Sequence, residues 1–298
     1  MNSNGKNGAI LAVMAYSMWG LAPVFFKLLD HISPLEILLH RILWSVVVLA
    51  IIISVKNNWR AVIAVFKDKK NILLLMLSSC FLALNWWLFI WAINSGRILD
   101  ASLGYYINPI LNVALGMVFL SERLSRLQYL AVAFAFTGVL IQVVTYGSFP
   151  IVAFGLASSF AMYGLIRKTI KVDAVTGIFW ESALLIVPAI IYWLVSEPTV
   201  TTNMFNNPLN LNLLFIATGL VTTAPLLCFV GAARRLNYST IGFFQYIGPS
   251  IMFLFAIFVY QENMSDAKWQ TFAFIWTALI FYSYSSYRTY SNNRIKTH

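Results

Sequence analysis

Arg41 stands inside a run of apolar residues, and Glu181 stands at the matching place 140 residues later, inside another. A charge near the centre of a membrane helix costs ~2.5–3.5 kcal/mol on insertion scales, so it is kept where it faces a bundle interior or a watery cavity. The chemistry open to such groups is reversible. A guanidinium fork holds an anionic or carbonyl-bearing solute, and a carboxyl takes up and returns a proton. The same offset carries Tyr106-Ile107-Asn108-Pro109, followed by Glu122, onto Tyr246-Ile247-Gly248-Pro249, followed by Glu262. The glutamate follows the proline by thirteen positions in both copies. Proline has no N–H, so Pro109 frees the carbonyl of Tyr105 and Pro249 frees that of Gln245. Free carbonyls at mid-span are tolerated only against protein or a water-lined cavity. They suit ligand coordination and hinge motion; the plainer reading is a pair of bent packing helices.

Other polar and aromatic groups fall beside these. Glu36, His40 and Trp44 recur at i, i+4 and i+8 and share one helix face, with Arg41 at its edge. His40 is read either as a proton shuttle or as a hydrogen-bonded histidine at the outer headgroup zone. Asp100 caps its helix N-terminus or takes part in proton coupling. Asn108 and Asn112 add amides to the helix that carries Pro109. Trp19, Trp44, Trp86, Trp87, Trp91, Tyr105, Tyr106, Tyr163 and Tyr246 form an aromatic inventory suited to an amphipathic organic molecule. Gly104, Gly116, Gly155 and Gly164 are read as points of close helix packing. For Arg41 and Glu181 two readings stand: two polar poles of one cavity, or charges satisfied locally by hydroxyls and carbonyls. Helix rise separates the two by ~10–15 Å along the membrane normal, which disfavours a direct salt bridge between them.

The elements that position these groups follow from composition. Of 298 residues 60% are hydrophobic and 10% charged, with a mean hydropathy of +0.78. A soluble domain is usually about 25% charged. The solvent for most of this chain is therefore lipid. The net charge of +10 lies in short loops rather than on one clustered face, which argues for lipid headgroups as partners and against nucleic acid. Cys80 and Cys228 sit in apolar helices of different halves and read as small buried side chains, not as a disulfide or metal site.

A bilayer core of ~30 Å needs ~20 apolar residues. Ten segments qualify: 8–28, 35–54, 71–93, 100–120, 127–145, 150–167, 176–196, 211–232, 239–260 and 268–287. The 55–70 connection holds an interfacial helix around Trp59–Phe66. Assigning Lys and Arg to alternate sides gives sixteen on the side of the termini, Arg167 and Lys168 among them, and three on the other. Both termini are then cytoplasmic. Internal symmetry divides the chain into 1–145 and 146–298, with Met18-Trp19-Gly20 answered by Met162-Tyr163-Gly164, and Phe89 and Ala92 by Phe229 and Ala232. Five spans per half is odd, so the second copy is inverted, with Glu122 inside and Glu262 outside. The expected fold is an all-α membrane protein of ten transmembrane helices in two inverted five-helix repeats. Such repeats place a site near the midplane where the halves meet.

The chain resembles the drug/metabolite transporter superfamily, and within it the RarD family of EamA-type permeases. The residues that carry the resemblance are Tyr16-Ser17-Met18-Trp19-Gly20, Glu36-Ile37-Leu38-Leu39-His40-Arg41 and Asn85-Trp86-Trp87-Leu88-Phe89-Ile90-Trp91-Ala92. Ser102-Leu103-Gly104-Tyr105-Tyr106-Ile107-Asn108-Pro109 and Gly242-Phe243-Phe244-Gln245-Tyr246-Ile247-Gly248-Pro249 complete it. The resemblance implies a bacterial inner-membrane exporter of small organic or drug-like molecules, described in terms of chloramphenicol sensitivity or resistance. The expected function is secondary transport by alternating access, with proton coupling as one option and a homodimer as one form of assembly. No Gly-x-x-x-x-Gly-Lys-Ser/Thr element supports ATP driving, and no His-Glu-x-x-His or Gly-x-Ser-x-Gly supports the alternative of a membrane enzyme. A channel, the other alternative, needs a charge ring or carbonyl filter that the sequence does not offer. No cofactor, metal or catalytic residue is assigned. The candidate transport residues are Trp19, His40, Arg41, Trp44, Asn85, Tyr105, Tyr106, Asn108, Pro109, Glu181, Gln245, Tyr246 and Pro249.

Overall fold

Apolar runs of about twenty residues satisfy their backbone polar groups within themselves, so they fold as helices wherever lipid surrounds them. The computed structural model describes residues 3–95, 98–147, 149–195, 204–259, 261 and 265–295. Among the described residues there is helix and no strand. The order is α1 (Ser3–Phe26), α2 (Pro34–Val55), α3 (Trp59–Ala64), α4 (Lys69–Asn94), α5 (Ile98–Leu120) and α6 (Arg126–Tyr146). Then come α7 (Ile151–Thr169), α8 (Ala174–Val195), α9 (Leu209–Ala233), α10 (Tyr238–Gln245), α11 (Ile247–Phe258) and α12 (Asp266–Ile295).

Local chemistry sets the ends. Pro34 opens α2, and Pro150 and Pro208 directly precede α7 and α9, positions where a missing N–H costs nothing. Ser125 and Gln128 form a capping box on α6, and Gly147 closes that helix with φ +80°. Asp68 caps α4 by accepting from the N–H groups of Lys70 and Asn71. The short α3 lies where an interfacial helix is expected, with Trp59 edge-on to Phe179.

Nine helical stretches among the described residues are long and apolar enough to cross a membrane, α10 and α11 acting together as one of them. Besides the short α3, the exception is α12. It is long, 30 residues, but Tyr, Ser and Thr from Thr277 onward dilute its apolar character. Large apolar side chains such as Val55, Val118 and Leu194 are more than 70% exposed, which fits an outer surface solvated by acyl chains. Cys80 is on the exposed surface rather than buried, and Cys228 is half-buried; both are free thiols.

The helices pack in a definite set of pairs. α6 lies along α12, α5 against α7 and α10, α4 against α7 and α8, α2 against α8 and α9, and α1 against α9 and α11. One core forms where α1, α7, α9 and α10 meet around Tyr16, Tyr163, Phe229 and Tyr238. A second joins α5, α6, α11 and α12 around Tyr106, Ala135, Phe253 and Phe272. Polar bonds between helices fasten the α6–α12 seam, with Thr271 Oγ1 donating to the Gly138 carbonyl and Ser125 paired with Ser285.

Candidate functional site

Arg41 projects from the first half of α2 between α1, α4 and α9. Its Nε donates to Thr222 Oγ1 at 2.9 Å. Its guanidinium carbon lies 5.3 Å from the Phe26 ring centre and 5.4 Å from that of Trp86. The side chain borders a cavity of about 490 Å³, within the range of small-molecule sites. Trp19, Asn85, Tyr105, Asn108, Gln245 and Pro249 border the same space, as do Tyr16, Phe26, Trp86, Phe89, Phe160 and Thr222. From the first part of the chain the lining residues come from the C-terminal half of α1, the N-terminal half of α2, the C-terminal half of α4 and the N-terminal half of α5, and α7, α9, α10 and α11 complete the wall. The cavity therefore lies toward one end of the bundle.

The amides are held by α7 and by each other. Asn85 Nδ2 donates to the Leu156 carbonyl at 2.8 Å and to Ser159 Oγ at 3.1 Å. Asn108 Nδ2 donates to the Ala157 carbonyl at 2.9 Å, while its buried Oδ1 has no hydrogen-bond partner among the described residues. Asn112 Nδ2 donates to Gln245 Oε1 at 2.7 Å, joining α5 to α10. Between α10 and α11 the helix breaks at Tyr246, one turn before Pro249. That break forms the cavity wall at Gln245, Gly248 and Pro249. α5, by contrast, runs as helix straight through Pro109, so the two Tyr-x-x-Pro copies differ in form.

Six of the sequence-selected residues lie elsewhere. His40 is buried, its ring stacked on Phe215 at 4.1 Å between centroids. Trp44 presses its backbone and Cβ against Gly219, where an added Cβ would sit 2.5 Å from Trp44. Tyr106 and Tyr246 are core residues of the α5–α12 cluster. Pro109 faces Gly242.

Glu181 is fully buried away from the cavity. It is held by Arg167, whose Nε lies 3.4 Å from Oε1, by Ser78 Oγ, which donates to Oε1, and by Tyr163 OH, which donates to Oε2 at 3.3 Å. Arg41 and Glu181 are thus not two poles of one cavity. Glu181 has an ion-pair partner as well as hydroxyls. Sequence reasoning missed that partner because Arg167-Lys168 at the end of an apolar run reads as a loop. The signal was there: Tyr163 and Arg167 are one turn apart, on one face of α7. Thr222, the partner of Arg41, had no signal beyond its place in an apolar run.

At the end of the bundle opposite the cavity, polar groups close the structure. Ser121, with φ +53°, reverses the chain after α5, and Glu122 then reaches the N-terminus of α10. It accepts from the N–H of Tyr238 at 2.5 Å, the N–H of Ser239 at 2.9 Å and Ser239 Oγ at 2.7 Å. Lys168 Nζ donates to the carbonyls of Ala233 and Leu236 at the end of α9. Glu262, the counterpart of Glu122, lies outside the described residues, as does the side chain of Asp100.

Comparison with known proteins agrees with this architecture. The family model of the EamA-like transporter family matches residues 6–144. An uncharacterized transporter of Vibrio cholerae is 53% identical over 94% of this chain and 93% of that protein. Protein RarD of Escherichia coli K12 is 49% identical over 92% of this chain and 93% of its own length. The chain belongs to the RarD/EamA transporter family. A Pseudomonas aeruginosa relative named chloramphenicol-sensitive protein RarD is 29% identical over 94% of this chain and 95% of that protein. A solved crystal structure superposes with a TM-score of 0.70 at 17% identity, covering 92% of this chain and 96% of the other. That likeness concerns the fold. Membership makes this RarD/EamA chain a multi-pass bacterial membrane transporter, for which a small-molecule cargo and a lipid bilayer are the expected partners.

Proposed function

We propose that the protein is a secondary transporter that exports a small organic molecule by alternating access between two inverted five-helix repeats, residues 1–145 and 146–298. The observation that carries this reading is the cavity itself. It is bordered by Arg41, Asn85, Tyr105 and Asn108 from the first repeat and by Phe160, Thr222, Gln245 and Pro249 from the second, and it lies toward one end of a bundle whose other end is fastened by Glu122 and Lys168.

The packing pairs support the repeat. Exchanging α1, α2, α4, α5 and α6 for α7, α8, α9, α10–α11 and α12 turns the α5–α7 pair into α10/α11–α1. It also turns α2–α9 into α8–α4, and α1–α9 into α7–α4; all of these pairs are in contact. The α6–α12, α5–α10 and α2–α8 pairs map onto themselves. On this reading α12 is the tenth span, its hydroxyls turned to use against α6.

Placing the Lys- and Arg-rich ends in the cytoplasm makes the arrangement outward-facing, with the Glu122 and Lys168 bonds as the inner closure. The residues assigned to cargo binding are Trp19, Arg41, Asn85, Tyr105, Asn108, Gln245 and Pro249, while Tyr106, Pro109 and Tyr246 form the crossing on which the repeats turn. His40, Trp44 and Glu181 support the frame.

The test has two parts. Single cysteines near Arg41 should label from outside, and cysteines beside Glu122 from the cytoplasmic side only. Proteoliposomes should show saturable counterflow of solutes that bind. Unitary currents would indicate a channel instead, and turnover without flux an enzyme.

A further inference from the structure

We propose that the cavity takes a small organic monoanion, with its negative group on Arg41 and its apolar body among the surrounding rings. The proposal rests on the carrier reading and names the class of cargo.

Charge balance carries it. Among the described residues that border the cavity, Arg41 is the one charged side chain, and no Asp or Glu accompanies it. Glu181, the acid at the matching place in the other repeat, is held by Arg167 3.4 Å away. Among the described residues, the partners of Arg41 are neutral: the Thr222 hydroxyl, the Tyr105 phenol and the faces of Phe26 and Trp86. A hydroxyl and two ring quadrupoles orient a guanidinium but leave its charge uncancelled. Arg41 is half-buried at the cavity wall, and a charge partly withdrawn from water without a counter-ion is unfavourable. A cargo that brings one negative charge removes that penalty on arrival. A neutral cargo leaves the penalty in place, and a dianion replaces it with an excess charge of the other sign. The arrangement thus selects a monoanion.

The geometry of the group follows from that of the partner. With Nε committed to Thr222, the terminal nitrogens of Arg41 remain for the cargo, and a planar fork of that kind matches a carboxylate. The remaining walls are rings. Trp19 and Phe160 meet edge to face at 5.7 Å between centroids, and both border the cavity with Trp86 and Phe89. A flat apolar body fits against such surfaces.

The experiment compares matched acids and amides on the purified protein: benzoate with benzamide, phenylacetate with phenylacetamide, and indole-3-acetate with its amide. Binding is read by tryptophan quenching and by thermal shift at neutral pH. At least one acid should bind, and roughly tenfold or more tighter than its amide, a difference of one decade in Kd. Arg41→Gln should erase that preference and raise the melting temperature of the unliganded protein, because it removes an uncompensated charge. Arg41→Lys should keep a reduced preference. Amides equal to acids, no acid binding at all, or a preference that survives Arg41→Gln would each overturn the proposal. Flux separates it from the carrier reading. Equal counterflow of amides and acids sinks the anion site and leaves the carrier standing. Acid-selective binding without counterflow keeps the anion site and sinks the carrier.

Discussion

Tyr246 donates its hydroxyl to the backbone carbonyl of Tyr106, 3.4 Å away and 140 residues earlier in the chain. The two tyrosines occupy the same place in the two Tyr-x-x-Pro elements, so the second copy is bonded to its own counterpart. Around that bond α5 and α10 cross closely. Asn112 reaches Gln245, and Gly242 lies so near the Pro109 carbonyl that an added Cβ would sit 2.5 Å from it. Backbone meets backbone there, with nothing flexible to yield.

Gly242→Ala should therefore force the crossing apart. Overpacking of this kind costs about 1–3 kcal/mol, read as a lower melting temperature of the purified protein. Tyr246→Phe deletes one long hydrogen bond and keeps the ring, for which about 0.5–1.5 kcal/mol is the ordinary loss. A glycine variant as stable as wild type would show that the helices slide freely at this point.

The buried Arg167–Glu181 pair makes a second prediction. Removing one partner of a buried pair costs about 3–5 kcal/mol because the other charge is stranded. Glu181→Gln and Arg167→Met should each destabilise strongly, and the double variant should recover most of the loss. Arg167 lies against Gly177, which leaves room for its guanidinium and for no Cβ, so Gly177→Ala should behave like a weakened Arg167 variant. Additive losses in the double variant would mean that the two residues act separately. Unchanged pH dependence of counterflow in folded Glu181→Gln would remove this carboxyl from any proton-coupled step.

Glu122 gives the third. It accepts two backbone N–H groups at the start of α10 and the Ser239 hydroxyl, an N-terminal cap supplied from 116 residues away. Loss of a helix cap costs about 0.5–2 kcal/mol. Because the cap joins α5 to α10 at the end opposite the cavity, the proposed topology predicts that Glu122→Ala also raises labelling of cysteines at the cytoplasmic vestibule. Lys168→Met, which releases the carbonyls at the end of α9, should act in the same direction. Labelling at the wild-type level in both variants would show that these bonds stabilise loops without closing a gate.

How far these features were legible depended on whether their signal was local. Arg41 stood out because a cation in an apolar helix has to face something, and it borders the cavity. Asn85 and Asn108 stood out as amides in the same kind of setting. Glu181 stood out equally and yet lies elsewhere, since its partner Arg167 sits at a helix end where basic residues ordinarily mark a loop. His40 and Trp44 share a helix face with each other, but a face is not a destination: one stacks on Phe215 and the other meets Gly219. Cys80 shows the same limit. In a membrane protein an apolar neighbourhood in sequence does not separate a core position from a lipid-facing one, because both solvents are oily. The 140-residue offset was legible in the motifs and reappears in α5 and α10–α11, which begin at Ile98 and Tyr238.

The two prolines make the last prediction, and their effects should be unequal. Pro109 lies inside a continuous helix and faces Gly242 through its carbonyl. Pro249 follows the break at Tyr246 and borders the cavity. Pro249→Ala supplies an N–H that the Gln245 carbonyl can accept, which favours joining α10 to α11. Joining them would redirect Gln245, release its bond to Asn112, and reshape the wall that meets the cargo. Pro109→Ala adds the same N–H to α5 without a break to repair. Counterflow and outer-vestibule cysteine labelling should therefore change markedly, on the order of tenfold or about 1.4 kcal/mol, in Pro249→Ala. In Pro109→Ala the change should stay within about threefold, with its main effect on stability at the α5–α10 crossing. Equal and opposite shifts in the two variants would instead mean that both prolines act as matched hinges, and that the break at Tyr246 plays no separate part.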